Sequence, residues 1–163
     1  MDLTDLRAKY TTRGLDIKDL NPSPFLQFEI WFNQAMDAKL TEPNAFSLAT
    51  VGTDMMPSIR TVLLKIFDEK GFVFFTNYKS NKATQIEQNP KAAALFAWLD
   101  LERQVKVEGD IEKISTTESL KYFLSRPKGS QIGAWVSHQS QVISSRKKKK
   151  KKFDEIRRKF VKG

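Results

Sequence analysis

Residues 125–140 read Ser-Arg-Pro-Lys-Gly-Ser-Gln-Ile-Gly-Ala-Trp-Val-Ser-His-Gln-Ser, and no other stretch tells as much about this chain. Cations, hydroxyls and amides surround its apolar Ile-Gly-Ala-Trp centre, and they are Arg126, Lys128, Ser130, Gln139 and Ser140. This mixture on an aromatic-anchored turn suits an anionic, planar ligand such as a phosphorylated ring, because cationic side chains form charge-assisted hydrogen bonds with phosphate. A second basic run, Arg-Thr-Val-Leu-Leu-Lys at residues 60–65, lies upstream in a strand-like segment.

The length and composition are those of one globular domain. The chain has 163 residues, of which 40% are hydrophobic and 29% charged, and it contains no cysteine. The lack of cysteine excludes disulfides and thiolate metal ligands and fits a cytoplasmic protein, which we therefore expect. We expect no membrane segment, because no apolar run reaches roughly 18 residues. The single histidine, His138, cannot form a multi-histidine metal site, so we predict no metal.

The net charge of +9 comes largely from one run of residues. Lys147–Lys152 are six consecutive lysines, and without them the net charge would be +3. Such a block repels itself and is usually solvated or an interaction tail, and no nucleic-acid-binding motif accompanies it. We therefore expect no nucleic-acid partner, while an interaction protein that binds polyanions through these lysines stays open as an alternative.

Hydrophobic periodicity and turn residues divide the chain into strands and helices. Residues 1–21 are predicted to be a flexible N-terminal segment, and residues 22–163 a single domain. The predicted helices are Phe25–Ala38, Ser80–Glu87, Thr116–Ser125 and a charged Ser144–Val161. The predicted strands are Ala45–Val51, Pro57–Phe67, Gly71–Thr76, Lys91–Leu99 and Glu102–Ile114. This order predicts a mainly β (α+β) fold, a small β-barrel with flanking helices.

Two segments suggest binding sites for an anion. Residues 76–82, Thr-Asn-Tyr-Lys-Ser-Asn-Lys, end a strand and open a helix, where backbone N–H groups, hydroxyls and Lys82 form a natural phosphate site. An ordinary capped helix explains the same residues equally well. Arg60 and Lys65 are five residues apart, which places them on opposite faces of a strand unless a bulge intervenes. They suit a phosphate and a ring, or they are solvated charges at the ends of a core strand.

Further candidates follow downstream. Tyr122 and Arg126 are four residues apart at the end of a predicted helix, so we expect them on one face, where a ring beside a guanidinium suits a phosphorylated aromatic substrate. The alternative is a packed tyrosine with a solvated arginine. Gln104 offers an amide donor to a carbonyl-rich ring such as a flavin, or lies at a solvated strand end. His138 has no partner for a catalytic pair, so no catalytic residue is predicted.

Five blocks occur in an order and spacing that resemble one known family. They are Arg-Thr-Val-Leu-Leu-Lys (60–65), Phe-Phe-Thr-Asn (74–77), Glu-Arg-Gln-Val (102–105), Lys-Tyr-Phe-Leu-Ser-Arg-Pro (121–127) and Ser-Gln-Ile-Gly-Ala-Trp-Val-Ser-His-Gln-Ser (130–140). From Arg7 to about Phe160 the chain resembles the pyridoxine/pyridoxamine 5′-phosphate oxidase family. The resemblance implies the FMN-binding split β-barrel fold, usually as a homodimer with FMN at the subunit interface.

The resemblance also implies site residues, position by position. Those expected to bind FMN are Arg60, Thr61, Val62, Leu63, Leu64, Lys65, Phe75, Thr76, Asn81, Lys82, Gln104, Gln139 and Ser140. Those expected to bind the substrate are Lys65, Tyr122, Arg126 and Ser130, with Arg7 and Tyr10 in a segment that can close over it in the family. The family commonly has arginine at the position of Asn81, so one phosphate contact is weaker or lost here.

The implied reaction is oxidation of pyridoxamine or pyridoxine 5′-phosphate to pyridoxal 5′-phosphate, with O₂ as the electron acceptor and hydrogen peroxide as the second product. The family continues for several tens of residues beyond the position of Gly163, through a tryptophan and an Arg-x-His-Asp-Arg motif that contacts substrate and FMN. We expect this C-terminal segment to be absent here. That departure leaves a second hypothesis open, a catalytically weak split barrel that binds FMN or a B6 phosphate.

Overall fold

The computed structural model describes residues 14–136, 139–140, 150 and 153–158. The strands are β1 (Ala45–Val51), β2 (Pro57–Asp68), β3 (Gly71–Phe74), β4 (Lys91–Trp98) and β5 (Arg103–Asp110). The helices are α1 (Pro24–Asp37), α2 (Asn81–Gln88), α3 (Thr116–Ser125) and α4 (Lys128–Val136), with 3₁₀ turns at Ile17–Asp19 and Leu99–Leu101. The strands form one sheet in the order β3-β2-β1-β4-β5. Within the described ranges, no helix has the length and apolar character needed to cross a bilayer.

The predicted β fold with flanking helices is confirmed, but three strands end earlier than predicted. β3 ends at Phe74 rather than Thr76, because Asn77 starts a turn. The carbonyl of Asn77 accepts the Ser80 N–H at 2.9 Å, and its side chain accepts the Lys79 N–H at 2.8 Å. β4 ends at Trp98 rather than Leu99, and β5 ends at Asp110 rather than Ile114.

The sequence predicts an aromatic-anchored turn at residues 125–140, and this prediction is wrong for residues 128–136. Lys128–Val136 is helix α4. The carbonyl of Pro127 accepts the N–H groups of Ser130 and Gln131 at 2.8 and 3.1 Å, which starts the helix. Ile132 and Val136, one turn apart, are both buried. Their spacing of four residues is the helical signal, and glycines at 129 and 133 obscure it because glycine is a poor helix former.

The described chain packs as two compact units. The first unit contains the described residues up to Leu48 together with Arg60–Phe74 and Ala94–Val107. The second unit contains Ala49–Ile59, Phe75–Ala93 and the described residues from Glu108 onward. The first unit therefore holds α1 and β3, and the second holds α2, α3 and α4.

Helix α1 begins where its sequence provides a cap. The side chain of Ser23 accepts the N–H of Leu26 at 3.4 Å, and Pro24 occupies the first helical position, where its missing N–H costs nothing. Phe28 and Ala35, two turns apart, are buried. Ile30, which the apolar pattern also includes, is 44% exposed, so the helix buries a narrower face than the sequence indicates.

Phe28 is the centre of the aromatic core of the first unit. Its ring lies 4.8 to 5.8 Å, centroid to centroid, from the rings of Phe32, Phe67, Phe72, Phe96 and Trp98. Three of these contacts are edge-on, a geometry that aromatic quadrupoles favour. Trp98 also donates its indole N–H to the carbonyl of Pro43 at 2.9 Å, which satisfies its polar edge. The core thus joins α1 to strands β2, β3 and β4 within this unit.

The β2–β3 hairpin turns at the predicted residues. Asp68 pairs with Gly71, and the side chain of Asp68 accepts the Lys70 N–H at 2.8 Å. Gly71 has φ of 147°, a conformation that side chains rarely allow, so glycine is required at this position.

We predict that Phe28→Ala lowers the free energy of unfolding by about 3–5 kcal/mol, because it leaves a cavity among packed aromatic rings. Urea unfolding followed by tryptophan fluorescence measures the change. Ile30→Ala, on the exposed side of the same helix, is the matched control and should cost less than about 1 kcal/mol. Similar losses in the two variants would contradict the assignment of Phe28 to the core.

Candidate functional site

The N-terminus of α2 carries a buried hydroxyl and a buried cation. Ser80 is the N-cap, and its fully buried side chain accepts the N–H of Ala83 at 3.4 Å. Lys82 lies in the first turn with 6% of its surface exposed, and its Nζ donates to Oγ1 of Thr76 at 3.0 Å. The structure thus brings together Thr76 and Lys82, two residues of the predicted FMN site. Helix N-termini present backbone N–H groups to anions, so an ammonium and two hydroxyls beside one make a chemically suitable phosphate site.

Asn81 follows the N-cap and is exposed. Its amide carries no charge, whereas the family commonly has arginine here. The positive charge within the first turn of α2 therefore comes from Lys82 and from the helix dipole.

A buried hydrogen-bonded network lies further along α2. Oγ1 of Thr50 donates to Oε1 of Gln85 at 2.7 Å, and Nε2 of Gln85 donates to Oγ of Ser58 at 3.0 Å. Thr50 and Gln85 are both less than a tenth exposed. The sequence does not predict this network. Thr50 nevertheless occupies one of the alternating buried positions of β1, together with Phe46 and Leu48. A polar residue at an inward position is a signal that a partner must exist.

Phe75 and Tyr122 form a ring stack in the second unit. Their centroids are 3.5 Å apart and their planes differ by 9°. The sequence assigns Phe75 to the cofactor and Tyr122 to the substrate. The structure therefore places one predicted residue of each kind in direct contact.

The expectation that Tyr122 and Arg126 share one helix face is wrong. Helix α3 starts as predicted, with Ser115 and Glu118 forming a capping box, but it ends at Ser125. Arg126 is the C-cap, and its backbone is extended with ψ of 148°. The i, i+4 rule holds only while both residues are helical, and Pro127 disfavours a helical residue before it.

The remaining predicted residues of the 125–140 stretch are on the surface. Arg126 is half-buried, and its carbonyl accepts Nε2 of Gln131 at 2.7 Å. Ser130 is exposed in the first turn of α4, and Gln139 and Ser140 are exposed in a turn. Their side chains are thus accessible to a ligand.

The side chain of Arg60 on β2 is held by the neighbouring strand β1. Its Nη1 donates to the carbonyl of Leu48 at 3.2 Å, and burial lowers the pKa of the guanidinium below its ordinary value. A guanidinium is not deprotonated in proteins, so the group stays charged at neutral pH. Along β2, Val62 is half-buried and Leu64 buried, Thr61 is exposed and Leu63 half-buried.

The strand shifts register at Lys65. Leu64 pairs with Phe74 and Ile66 with Val73, so two steps along β2 match one step along β3. This is the bulge that breaks the alternation between faces, and the odd spacing of Arg60 and Lys65 therefore does not by itself set their faces. Lys65 is exposed.

Gln104 is exposed, and its neighbour in the chain, Arg103, contacts helix α1. The guanidinium of Arg103 lies 5.3 Å from the centroid of the Trp31 ring and donates to Oε1 of Gln34. Within the first unit, Arg103 thus joins the start of β5 to α1. Gln104, whose amide is predicted to face the flavin, is the next residue in the chain.

Several predicted features lie outside the described residues. They are Arg7, Tyr10, His138 and all but Lys150 of the run Lys147–Lys152. Residues 1–13 of the predicted N-terminal segment are outside as well. Of the predicted Ser144–Val161 helix, Lys150 and residues 153–158 are described, and they are helical.

Solved structures define the class of fold. PhzG from Burkholderia lata 383, in complex with tetrahydrophenazine-1-carboxylic acid, matches with a TM-score of 0.81 and 25% identity, over 85% of this chain and 68% of that chain. A pyridoxamine 5′-phosphate oxidase-related, FMN-binding protein from Nostoc punctiforme PCC 73102 matches with a TM-score of 0.63 and 19% identity, over 83% of this chain and 73% of that one. The chain has the predicted FMN-binding split β-barrel fold.

Sequence relatives then assign the family. The family model described as pyridoxamine 5′-phosphate oxidase matches residues 32–160. Over 163 residues the chain is 85% identical to a pyridoxine/pyridoxamine 5′-phosphate oxidase of Aliarcobacter butzleri (strain RM4018), and it covers 77% of that protein. It is 64% identical to the protein of that name from Crocosphaera subtropica, with 76% covered. The chain belongs to the pyridoxamine 5′-phosphate oxidase family, which confirms the predicted family, its class of enzyme, an oxidase, and its cofactor, FMN.

We predict a measurable coupling between Phe75 and Tyr122. In a double-mutant cycle of Phe75→Leu and Tyr122→Leu, the interaction free energy should be about 0.5–1.5 kcal/mol, because stacked rings stabilise beyond the area they bury. Urea unfolding of the four proteins measures it. The pair Phe75 and Leu120, an exposed residue of the same helix, serves as the control and should be additive. Additive losses for Phe75 and Tyr122 would contradict the stack.

Proposed function

We propose that this chain oxidises pyridoxine 5′-phosphate or pyridoxamine 5′-phosphate to pyridoxal 5′-phosphate, with O₂ as the electron acceptor and hydrogen peroxide as the second product. The observation that carries this proposal is 85% identity, over the entire chain, to a protein named pyridoxine/pyridoxamine 5′-phosphate oxidase. The stacked ring and the cationic helix start of the second unit are consistent with a phosphorylated ring system.

The residues at the start of α2 fit the phosphate of FMN. Lys82 is a buried cation whose ammonium lies beside a hydroxyl, and the N-terminal N–H groups of the helix add positive potential. An ammonium forms a strong charge-assisted hydrogen bond with a phosphate, which a flavin without phosphate would not supply. When bound, FMN would supply the redox chemistry, taking up two electrons from the substrate and passing them to O₂.

The chain's own residues would bind and orient the two ring systems. Those proposed to hold FMN are Arg60, Thr61, Val62, Leu63, Leu64, Lys65, Phe75, Thr76, Asn81, Lys82, Gln104, Gln139 and Ser140. Arg60 would contribute a permanent positive charge, and the amide of Gln104 a hydrogen-bond donor. Cationic and amide donors near a flavin favour its reduced, more negative form.

The substrate phosphate would be bound by a second group of residues. We propose Lys65, Tyr122, Arg126 and Ser130, with Arg7 and Tyr10 as further contacts. The stack on Phe75 holds the ring of Tyr122 in place, so that its hydroxyl would be pre-oriented rather than free to rotate away. Tyr122→Phe would keep the stack and remove only that hydroxyl.

We also propose that the chain acts as a cytoplasmic homodimer. Several large apolar side chains of the described surface are more than half exposed, among them Met55, Ile59, Ile66 and Leu99. Exposed apolar surface of this kind is typical of protein contacts. A second copy of the chain is the partner that the family resemblance implies.

A second function has one observation in its favour. Asn81 is uncharged and exposed at a position where the family commonly has a cationic phosphate contact. A split barrel that binds FMN or a B6 phosphate but turns over slowly would tolerate the lack of a cationic phosphate contact at this position. Turnover distinguishes the two functions.

The decisive experiment is aerobic conversion of pyridoxine 5′-phosphate by the purified chain with saturating FMN. Formation of pyridoxal 5′-phosphate, followed by its absorbance, should be accompanied by an equal amount of hydrogen peroxide. A folded protein that retains FMN without turnover would leave the binding barrel as the function. A folded protein that does not bind FMN would overturn both.

We predict that Lys82→Met raises the Kd of FMN about ten- to hundredfold, because a charge-assisted hydrogen bond contributes about 1.5–3 kcal/mol. Flavin fluorescence titration measures the Kd. Lys91→Met removes the same charge from an exposed position of the same unit and should change the Kd less than about twofold. Equal effects of the two variants would show that only the overall charge matters.

We predict the opposite pattern for Arg126→Ala. The KM for pyridoxine 5′-phosphate should rise about tenfold or more, because the phosphate loses a guanidinium partner. The Kd of FMN should stay within about twofold, since Arg126 is assigned to the substrate alone. Parallel losses in KM and in FMN affinity would reassign this arginine to the cofactor.

A further inference from the structure

Helix α2 is attached to the β1–β2 hairpin by one glutamine that uses both ends of its amide. Oε1 of Gln85 accepts the hydroxyl of Thr50 at 2.7 Å, and Nε2 donates to Oγ of Ser58 at 3.0 Å. Gln85 is 6% exposed and Thr50 2% exposed. In the described part of the chain, no buried side-chain nitrogen or oxygen lacks a hydrogen-bond partner. Gln85 therefore sits at a defined position relative to both strands of the hairpin.

The hairpin also approaches α2 very closely. A Cβ atom at Gly52 would lie 2.7 Å from Oε1 of Gln88 and 3.2 Å from Cγ of Gln85, so a larger residue would displace the side chain of Gln88 and crowd that of Gln85. The N–H of Thr53 donates to the same Oε1 of Gln88 at 3.2 Å. The close approach at Gly52 and the side-chain hydrogen bonds of Gln85 involve the same face of the helix.

These contacts matter because α2 has only eight residues. A helix of this length is not stable in isolation, and its placement comes from tertiary contacts. Gln85 lies three residues after Lys82, so the two side chains emerge on the same side of the helix, and both are buried. A shift of the helix at Gln85 would thus move Lys82 and the N-terminal N–H groups together.

We propose that Gln85 is a positioning residue, which, through its bonds to Thr50 and Ser58, aligns the N-terminus of α2 with the phosphate of FMN. This inference rests on the proposed FMN site. It identifies the residue that gives the site its preference for a phosphorylated flavin. Gln85 would act through the placement of α2 and not by contact with a ligand. It controls the difference in affinity between FMN and riboflavin, since riboflavin lacks only the phosphate.

The test measures the Kd of FMN and of riboflavin by flavin fluorescence for Gln85→Leu, which keeps the size of the side chain and removes its hydrogen bonds. The Kd of FMN should rise about tenfold and that of riboflavin less than about twofold. Glu87→Gln, an exposed change on the same helix, is the matched control and should alter neither. Circular dichroism checks that each variant is folded.

Milder variants give the same answer where Gln85→Leu does not fold. Thr50→Val and Ser58→Ala each remove one of the two bonds, and each should raise the ratio of the two Kd values by a smaller factor, about threefold. Equal loss of FMN and riboflavin affinity, or no loss, would overturn the inference while leaving the proposed function standing. A wild-type chain that binds neither flavin would overturn the proposed function and this inference together.

Discussion

The packing of Phe28 against five other aromatic rings is the contact on which the first unit depends. The ring lies at the centre of contacts that join α1 to the β2–β3 hairpin and to β4, three segments that are far apart in the chain. Burial of aromatic surface is the largest favourable term available to a chain of this size, and it acts in any direction. The polar parts of this unit, including the guanidinium of Arg60, are built on strands that this core holds.

The second unit follows a different principle, because its interior is partly polar. Thr50, Ser80, Lys82 and Gln85 are all buried there, and each of them has a hydrogen-bond partner. Buried polar groups are costly unless they are paired, and pairing makes their positions specific in a way that apolar packing does not. A site that must recognise a phosphate needs this kind of specificity, since the charges have to be in place before the ligand arrives.

The sequence predicts most of this architecture for identifiable reasons. Alternation of apolar residues identifies the strands, and apolar periodicity identifies the helices that the structure then shows to begin at the serine N-caps Ser23, Ser80 and Ser115. It predicts the proximity of Thr76 and Lys82, which are neighbours in sequence. It does not predict helix α4, whose glycines mask the spacing of its two buried residues, nor the extended backbone at Arg126.

The sequence by itself determined the family, the order of strands and helices along the chain apart from α4, and the residue types available to bind a phosphorylated flavin, since these depend on local pattern and on ordered motifs. Only the tertiary structure decided which residues meet. The partners of Gln85 are 35 and 27 residues away in the chain, and Phe75 and Tyr122 belong to different elements. Contacts of that kind depend on how segments distant in the chain pack together, and no local pattern encodes them.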